Sequence, residues 1–340
     1  NEINVVIQWS DELNPFVSKG IGPYVRVIAT DFELDSSLSA VLGVTDIGMS
    51  ASAVAGPSPS IGSACNIAPM VACAEDPDDP VLFGFDLGQP EVLKSAAGGA
   101  ASLGPGNFQL VRLDCGAGGA CVRENLAGSY GGCATSGDPI TTEPGNTVGP
   151  VAQGLNTRFG DWSGPMGGYG PDVYPPDVVT DQPSPPLEIQ EDDKNTDGIN
   201  EGDDPSTPEV EEYVIVQEQA GETVIINETT LPNYGWDEYK ADVNDEDFDW
   251  QPPVGVYERR IMALPIAACD GTCSGSCDLP VIGFGCFFLL QQMPQSGGEA
   301  NVYGQFVEGC GANGVPGPAP DAGPGPYLIQ LYKDPDSGES

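Results

Sequence analysis

The chain has 340 residues, of which 51 are acidic, 11 are basic and none is histidine, so its formal net charge is −40. A chain this acidic repels phosphate backbones and anionic lipid, and we therefore expect no nucleic acid and no membrane surface among its partners. The lack of histidine excludes Ser-His-Asp and Cys-His catalysis and His-ligated zinc. The longest apolar run, residues 281–290, is too short to span a bilayer.

Residues 1–56 are predicted to form an N-terminal strand–strand–helix–strand unit. Alternating apolar residues from Ile3 to Trp9 predict the first strand, and residues 24–30 predict the second. The spacing of leucines over residues 32–42 predicts a helix that ends at Gly43. Alternation over residues 47–55 then predicts the third strand.

The rest of the chain divides by composition into three segments. Residues 57–162 are rich in cysteine and glycine and are predicted to be the first part of a β core, with strands at 81–85 and 108–113 and long loops between them. Residues 163–253 form an acidic, proline-rich insertion that we expect to be displayed outside the core. Residues 254–340 are predicted to be the second part of the core.

Short patterns place further strands in these segments. The insertion carries a predicted hairpin around Ala220 and Gly221. The second core part has four apolar strand candidates, of which the second is apolar on both faces and is predicted to be central. The four candidates are residues 260–268, 281–290, 302–307 and 327–332. The predicted fold class is α+β, mainly β: the small N-terminal unit plus a larger, disulfide-stapled antiparallel core with long Gly/Pro loops.

The ten cysteines are even in number and cluster in glycine-rich stretches, which predicts disulfides formed in an oxidising compartment. We therefore expect an extracellular or cell-surface protein. The alternative is a metal cluster at Cys269, Cys273 and Cys277, although their spacing fits neither the usual zinc sites nor the common iron–sulfur sites. Pairing cannot be read from the sequence; a short closure between Cys65 and Cys73 is our guess.

The sharpest chemical signal is a calcium-type loop. Oxygen-bearing residues recur at the loop spacing that Ca²⁺ requires, and Gly198 allows the tight turn at position 6. Flanking prolines argue against helices, so the loop resembles the helix-free calcium loops of extracellular repeats. A solvated acidic linker is the alternative interpretation. The predicted Ca²⁺ ligands are Asp193, Asn195, Asp197, Ile199 (through its backbone carbonyl), Glu201 and Asp204.

Two further features of the insertion are open to two interpretations each. An acidic run over residues 242–249 lacks the position-6 glycine, so it is either a weak accessory site or, more simply, a solvated face. Five aromatic residues either face a ligand or pack the insertion onto the core. They are Tyr234, Trp236, Tyr239, Phe248 and Trp250.

Short motifs occur in a fixed order in two blocks of the chain. The first block contains VLG at 41–43, SASAVA at 50–55, CNIAP at 65–69 with Cys73, PGNF at 105–108, EPGN at 143–146, GP at 149–150 and GLNTRF at 154–159. The second block contains RR at 259–260, Cys269, FFL at 287–289, YGQFV at 303–307 and LYK at 331–333. In this order the motifs resemble the secreted part of the TadG/TadE-like proteins of Tad (Flp-type) pilus-assembly systems. The resemblance covers roughly residues 21–162 and 254–333. It implies a bacterial, exported, pilus-associated protein with a pilin-like or von Willebrand-like extracellular portion. Two features of the family, a membrane-spanning helix and an Asp-x-Ser-x-Ser metal motif, are not carried over because this sequence does not contain them.

Two hypotheses about function follow. The first is a structural subunit or associated component of an extracellular filament, with copies of itself or other pilus components as partners. Its N-terminal strand could be donated to a neighbour's sheet, or it could pair within its own domain. The second is a monomeric calcium-dependent adhesin or binding module. No paired carboxylates stand out as a glycosidase site, and we predict that the protein is not an enzyme.

Overall fold

A computed structural model of the protein describes residues 4–35, 46–58, 61–79, 81–94, 107–145, 147–191, 213–227, 230–245, 255–269, 272–273, 275–295, 301–311, 313–316 and 325–335. Strands dominate this part of the chain. In chain order they are β1 (Asn4–Ser10), β2 (Tyr24–Asp35), β3 (Asp46–Pro57), β4 (Ile61–Ile67), β5 (Ala72–Cys73), β6 (Pro90–Lys94), β7 (Asn107–Val111), β8 (Tyr130–Thr135), β9 (Pro139–Pro144), β10 (Glu188–Glu191), β11 (Tyr213–Gln219), β12 (Glu222–Ile225), β13 (Ile261–Ala267), β14 (Asp278–Leu289), β15 (Val302–Val307), β16 (Gly309–Gly311), β17 (Asn313–Pro316), β18 (Gly325–Tyr327) and β19 (Ile329–Tyr332).

Three α-helices lie among the described residues: α1 (Gly119–Gly128), α2 (Val148–Asn156) and α3 (Trp236–Asn244). The α+β, mainly β class is therefore confirmed. None of these helices is long and apolar enough to cross a bilayer. The chain separates into two compact units. Residues 1–59 and 327–340 form the terminal unit, and residues 60–326 form the disulfide unit.

The terminal unit is built on one antiparallel sheet with the strand order β1-β2-β3-β19. The three strands predicted at 3–9, 24–30 and 47–55 are present. The helix predicted to begin at residue 32 is wrong over the described residues, because β2 continues to Asp35. There Phe32 pairs with Met49 and Leu34 with Ile47. Apolar residues 32 and 34 alternate with acidic residues 33 and 35, and this period of two outweighs the helical spacing of the leucines. The remainder of the predicted helix lies outside the described residues.

β19, the last strand among the residues that the structure describes, completes the same sheet. β19 pairs with β3, with Leu331 opposite Ala55 and Ile329 opposite Pro57. From its sequence, this strand is predicted to lie in the second part of the core. Local alternation reports that a strand exists but not which strand is its partner, so the contact with a segment far away in sequence was not predicted.

The core of the disulfide unit is a sheet with the path β5-β13-β14-β15-β6. As predicted, β14 is central: it pairs with both β13 and β15. Side chains from this sheet and from α1 and α2 form one buried cluster, which includes Leu264, Phe287 and Phe306. A Cβ at Gly285 would lie 2.7 Å from the Phe306 ring, so this glycine allows the aromatic ring to lie directly on the strand.

Residues 81–85, predicted to be a strand, form a turn instead. The Asp79 carboxylate accepts hydrogen bonds from the backbone N–H groups of Leu82 at 2.9 Å and Gly84 at 3.0 Å. Phe83 adopts a positive φ of 59°. An aspartate that accepts bonds from the amides that follow it favours a turn over a ladder, and this side-chain signal was overlooked.

Helices α1 and α2 lie in the first part of the core, for which no helix was predicted. Each has an apolar pair at i, i+4: Val122 with Leu126, and Val151 with Leu155, all fully buried. The surrounding glycines made these segments look like loops, although the pairs indicate an apolar helix face.

Disulfides are confirmed, and all ten cysteines are paired. The bonds are Cys65–Cys133, Cys73–Cys269, Cys115–Cys121, Cys273–Cys277 and Cys286–Cys310. The guess that Cys65 pairs with Cys73 is wrong. Cys65 lies directly opposite Cys133 in the β4–β8 ladder, with their Cα atoms 3.9 Å apart. Cys269, Cys273 and Cys277 are divided between two disulfides, so the alternative of a thiolate metal cluster is wrong.

Part of the segment predicted to be displayed outside the core is buried. Met166, Asp177 and Val179 have no exposed surface. The predicted hairpin is confirmed as β11 and β12, and both turn residues, Ala220 and Gly221, have positive φ as a type I′ turn requires.

Candidate functional site

The sheet of the terminal unit gathers apolar side chains on one face. Residues opposite each other in an antiparallel ladder point to the same side, and side chains alternate along each strand. The pairing of Ile7 with Val27, and of Val27 with Ala53, therefore places all three on one side. The same register extends across four strands. We call this set the apolar face: Val5, Ile7, Trp9, Val25, Val27, Ala29, Ala51, Ala53, Ala55, Pro57, Ile329 and Leu331.

The apolar face is open to solvent. Ile7 is 59% exposed, Ile329 68% and Leu331 79%, and Val5, Trp9 and Val27 are also exposed. None of the twelve residues carries a charge or a polar side chain other than the indole N–H of Trp9. Single exposed apolar residues are ordinary on protein surfaces, whereas a contiguous apolar surface of this kind marks an interaction site.

The opposite face of the sheet holds the small core of the terminal unit. Arg26 and Asp334 form an ion pair of 2.8 Å in which both side chains are nearly completely buried. The guanidinium of Arg26 also lies 4.0 Å from the centroid of the Phe16 ring. Val54 is fully buried on this side. The sheet thus buries the face that carries an arginine, around Arg26 and Val54, although Val6 at its margin is exposed.

Strand β1 pairs over its whole length with β2, from Asn4 opposite Thr30 to Ser10 opposite Tyr24. Of the two interpretations of this strand, pairing within its own domain is confirmed, and a free N-terminal strand is wrong. The outer edge of β1 remains an edge of the sheet, because the strand order begins there.

The six predicted calcium ligands, Asp193, Asn195, Asp197, Ile199, Glu201 and Asp204, lie outside the described residues. The second acidic run is described only to Asp245. Within it, Asp242 accepts a hydrogen bond of 2.8 Å from the Tyr234 hydroxyl. The part of the chain that the structure describes contains no group of three or more Cys, Asp or Glu residues that could hold a metal ion.

Two of the insertion aromatics pack on the core. Tyr239 is buried, and its ring centroid lies 4.8 Å from that of Phe288 on β14. The Trp236 ring lies 5.3 Å from the same phenylalanine. The packing interpretation is therefore confirmed for these two residues. Phe248 and Trp250 lie outside the described residues.

A buried arginine cluster in the disulfide unit was not recognised in the sequence. Arg158 donates from Nε and Nη2 to the Leu126 carbonyl near the end of α1, and Arg260 donates to the carbonyls of Leu289 and Leu290. Asp177 accepts from the Arg260 backbone N–H at 2.9 Å and from the Tyr239 hydroxyl. Burial raises the pKa of Asp177 and lowers that of Arg260. These side chains form hydrogen bonds with one another and with backbone carbonyls, so the cluster is structural. The sequence signal for it is the pair of arginines at positions 259 and 260, directly before an apolar strand.

A groove in the described part of the disulfide unit has a volume of about 560 Å³ and is rich in side-chain amides. Several of the amides that line it are already bonded to the protein. Asn156 donates to the Met293 carbonyl, and Gln291 accepts from the Leu187 amide. Polar groups that already bond to the protein offer few donors and acceptors to a substrate. The groove is therefore a weaker candidate for a functional site than the apolar face.

One carboxyl group of the disulfide unit titrates far from its ordinary range. Burial, helped by the negative charges of Glu75 and Asp86, raises the pKa of Glu91 from 4.5 to about 8. A carboxyl group with a raised pKa can act as a general acid when a base or a nucleophile lies close enough to act on the same substrate. Its neighbours are carboxylates that raise its pKa, and no paired catalytic arrangement is evident among the described residues.

Comparison with known proteins adds no homologue: no family model, no curated protein and no solved structure matches the chain.

Proposed function

We propose that the protein is a structural component of an extracellular assembly, as a subunit or an associated component of a bacterial filament of the Tad-pilus kind. The observation that carries this proposal is the apolar face. None of its twelve positions carries a charged residue, and eight of them are exposed, in a chain whose net charge is −40. A surface of this composition gains free energy when another protein covers it, by about 25 cal/mol for each Å² of apolar area removed from water.

The disulfides support the same proposal. Five of them lie in one unit, and disulfides form and persist in oxidising compartments, where exported proteins function. The specific attribution to Tad systems rests on the resemblance of residues 21–162 and 254–333 to TadG/TadE-like proteins.

The test is to find the native protein in its cells. Antibodies raised against the chain should label filaments or other surface assemblies in electron microscopy. In a strain that produces Ile7→Asp with Leu331→Asp, the labelling of assemblies should fall, and the protein should appear as free molecules in the medium. Ile21→Asp is the matched control because Ile21 is 80% exposed but lies in a loop outside the apolar face. Native protein that occurs only as a free monomer would refute the proposal and favour the adhesin.

Calcium binding is a separate part of the proposal, supported by the ligand spacing from Asp193 to Asp204. At a hundredfold excess of Ca²⁺ over its dissociation constant, the folded protein should gain about 2.7 kcal/mol relative to the protein in chelator. The combination of Asp193→Ala with Asp197→Ala should abolish that gain in a thermal melt. If Ca²⁺ does not raise the melting temperature of the parent protein, the site does not exist.

A further inference from the structure

The apolar face lacks charge, and this restricts what can cover it. Apart from this face, the chain is strongly acidic, with 51 carboxylates against 11 basic residues. Contact between two copies through an acidic surface brings like charges together and removes them from water, which costs free energy. None of the twelve residues of the apolar face is acidic, so contact through these residues does not bring carboxylates together. The face is thus a place where two copies of this acidic chain can meet without that cost.

The shape of the apolar face also suits packing against a second sheet of the same kind. The margins of the face carry large side chains: Ile7 and Trp9 on β1, and Ile329 and Leu331 on β19. Between them lie smaller side chains: Val25 and Val27 on β2, and alanines on β3, of which Ala53 lies opposite Val27. Sheets that pack face to face lie about 10 Å apart and interdigitate their side chains, so the large side chains of one sheet can pack on the smaller side chains of the other.

The exposed area is in the range that a specific contact needs. From their exposed fractions, the six large side chains of the face leave roughly 600 Å² open to water, so two copies would bury on the order of 1,200 Å², the lower end of stable interfaces. An anionic lipid surface would be repelled by the net charge of −40, and a basic protein would find no carboxylate within the face to pair with.

We propose that the apolar face binds the apolar face of a second copy of this chain, which produces a two-fold symmetric β-sandwich between the two terminal units. This inference rests on the proposed function and names the partner of its surface. In a two-fold contact, the same patch is used on both molecules. The dimer formed in this way leaves the outer edges of β1 and β19 at the rim of the sandwich.

The first measurement is sedimentation equilibrium of the purified, disulfide-intact full chain. The wild-type protein should be a dimer at concentrations of about 100 µM. Ile7→Asp with Leu331→Asp should weaken the dimer by about 100-fold or more, because two carboxylates per molecule would lose their hydration without a partner. Ile21→Asp should leave the dimer unchanged. Circular dichroism and melting curves should show that all three proteins fold equally well, since the substituted positions are exposed.

The second measurement tests the symmetry. Because all ten native cysteines are paired, a cysteine introduced at Ala53 would supply the one reactive thiol. Near a two-fold axis through the centre of the face, Ala53→Cys in the two copies should form a disulfide rapidly under mild oxidation. Ile21→Cys, equally accessible but outside the face, should cross-link slowly and only in proportion to concentration.

The outcomes separate this inference from the proposed function. A wild-type protein that remains monomeric, or a dimer that is unaffected by Ile7→Asp with Leu331→Asp, would overturn the inference. If a purified monomer nevertheless enters surface assemblies, and these substitutions prevent its entry, the proposed function stands and the face binds a different component. If the purified protein does not associate and the antibodies label no surface assembly, both the inference and the proposed function are refuted.

Discussion

The two units of the protein are stabilised in different ways. The disulfide unit contains all ten cysteines and a cluster of fully buried apolar residues around β13, β14 and β15. The terminal unit has no cysteine, and its buried side holds an arginine–aspartate pair next to Phe16 and Val54. Its largest apolar surface faces water. The disulfide unit therefore buries its apolar residues within itself, whereas the terminal unit holds a large share of them ready for contact with another molecule.

The difference indicates that the two units have different roles. Cross-links restrict the unfolded chain and keep a loop-rich unit intact in an oxidising environment. A surface that must join another molecule gains nothing from cross-links within itself, but it needs exposed apolar area. If this comparison is right, perturbations of one unit should leave the other largely unchanged, and the following predictions test that independence.

The largest effect should come from the disulfide that closes the longest loop. Cys73 and Cys269 are 196 residues apart, whereas Cys273 and Cys277 are 4 apart. The loop-entropy model gives a loss of about 5 kcal/mol for Cys73→Ala with Cys269→Ala, and about 2 kcal/mol for Cys273→Ala with Cys277→Ala. Urea unfolding of both double variants measures the two losses.

Hydrogen exchange provides the control for this prediction. Amides of β14 in the disulfide unit should exchange faster in the Cys73/Cys269 variant, while amides of β2 in the terminal unit should keep their wild-type rates. Equal losses in the two double variants would show that loop length does not govern the stabilisation. Faster exchange of β2 would contradict the independence of the two units.

A smaller effect, confined to the terminal unit, should follow from breaking the buried ion pair. Asp334→Asn leaves the Arg26 guanidinium buried beside Phe16 without its counter-charge, and this should lower the stability of the terminal unit by about 3 kcal/mol. Lys19 and Asp11 form an exposed ion pair in the same unit. The matched substitution Asp11→Asn should cost less than about 1 kcal/mol. Exchange rates of the β2 amides measure both effects, and similar losses would mean that burial does not strengthen the Arg26–Asp334 contact.

The sequence predicted the elements of both units better than their connections. Local apolar patterns identified β1, β3, β13, β14, β15 and β19, because each of these signals lies within a few residues. The partners of β19 and of Cys65 depend on segments far away in sequence, and no local pattern contains them. Helices α1 and α2 were missed because glycines outweighed their two apolar pairs.

The candidate site shows the same limit. The alternation of Val5, Ile7 and Trp9 predicted that these residues share one face, and this is confirmed. Apolar alternation ordinarily indicates the face that turns inward. Here the middle of the other face is buried, because Arg26 pairs with Asp334, a residue far away in sequence. That pairing depends on tertiary structure, so the sequence alone could not identify the exposed face.

The last and smallest effect is a pH dependence that belongs to the disulfide unit. The folded protein holds the pKa of Glu91 at about 8, above the ordinary value of 4.5, chiefly through burial. Between these two pH values the folded state binds a proton that the unfolded state has released, so the stability falls as the pH rises. Glu91→Gln imitates the protonated group and should be more stable than the wild type at pH 6, by about 2 kcal/mol, with little difference near pH 4.5.

The control for Glu91 is a glutamate of the same unit that lies in water. Glu222 is exposed at the start of β12, and Glu222→Gln should follow the wild-type pH profile closely. Because the whole chain is acidic, its general repulsion also grows with pH, and that contribution is common to the wild type and both variants. The difference between the Glu91→Gln and wild-type profiles from urea unfolding therefore isolates one carboxyl group. Parallel profiles would mean that Glu91 is hydrated in the folded protein. If the two units unfold independently, the exchange rates of the β2 amides should be the same in Glu91→Gln and in the wild type at either pH.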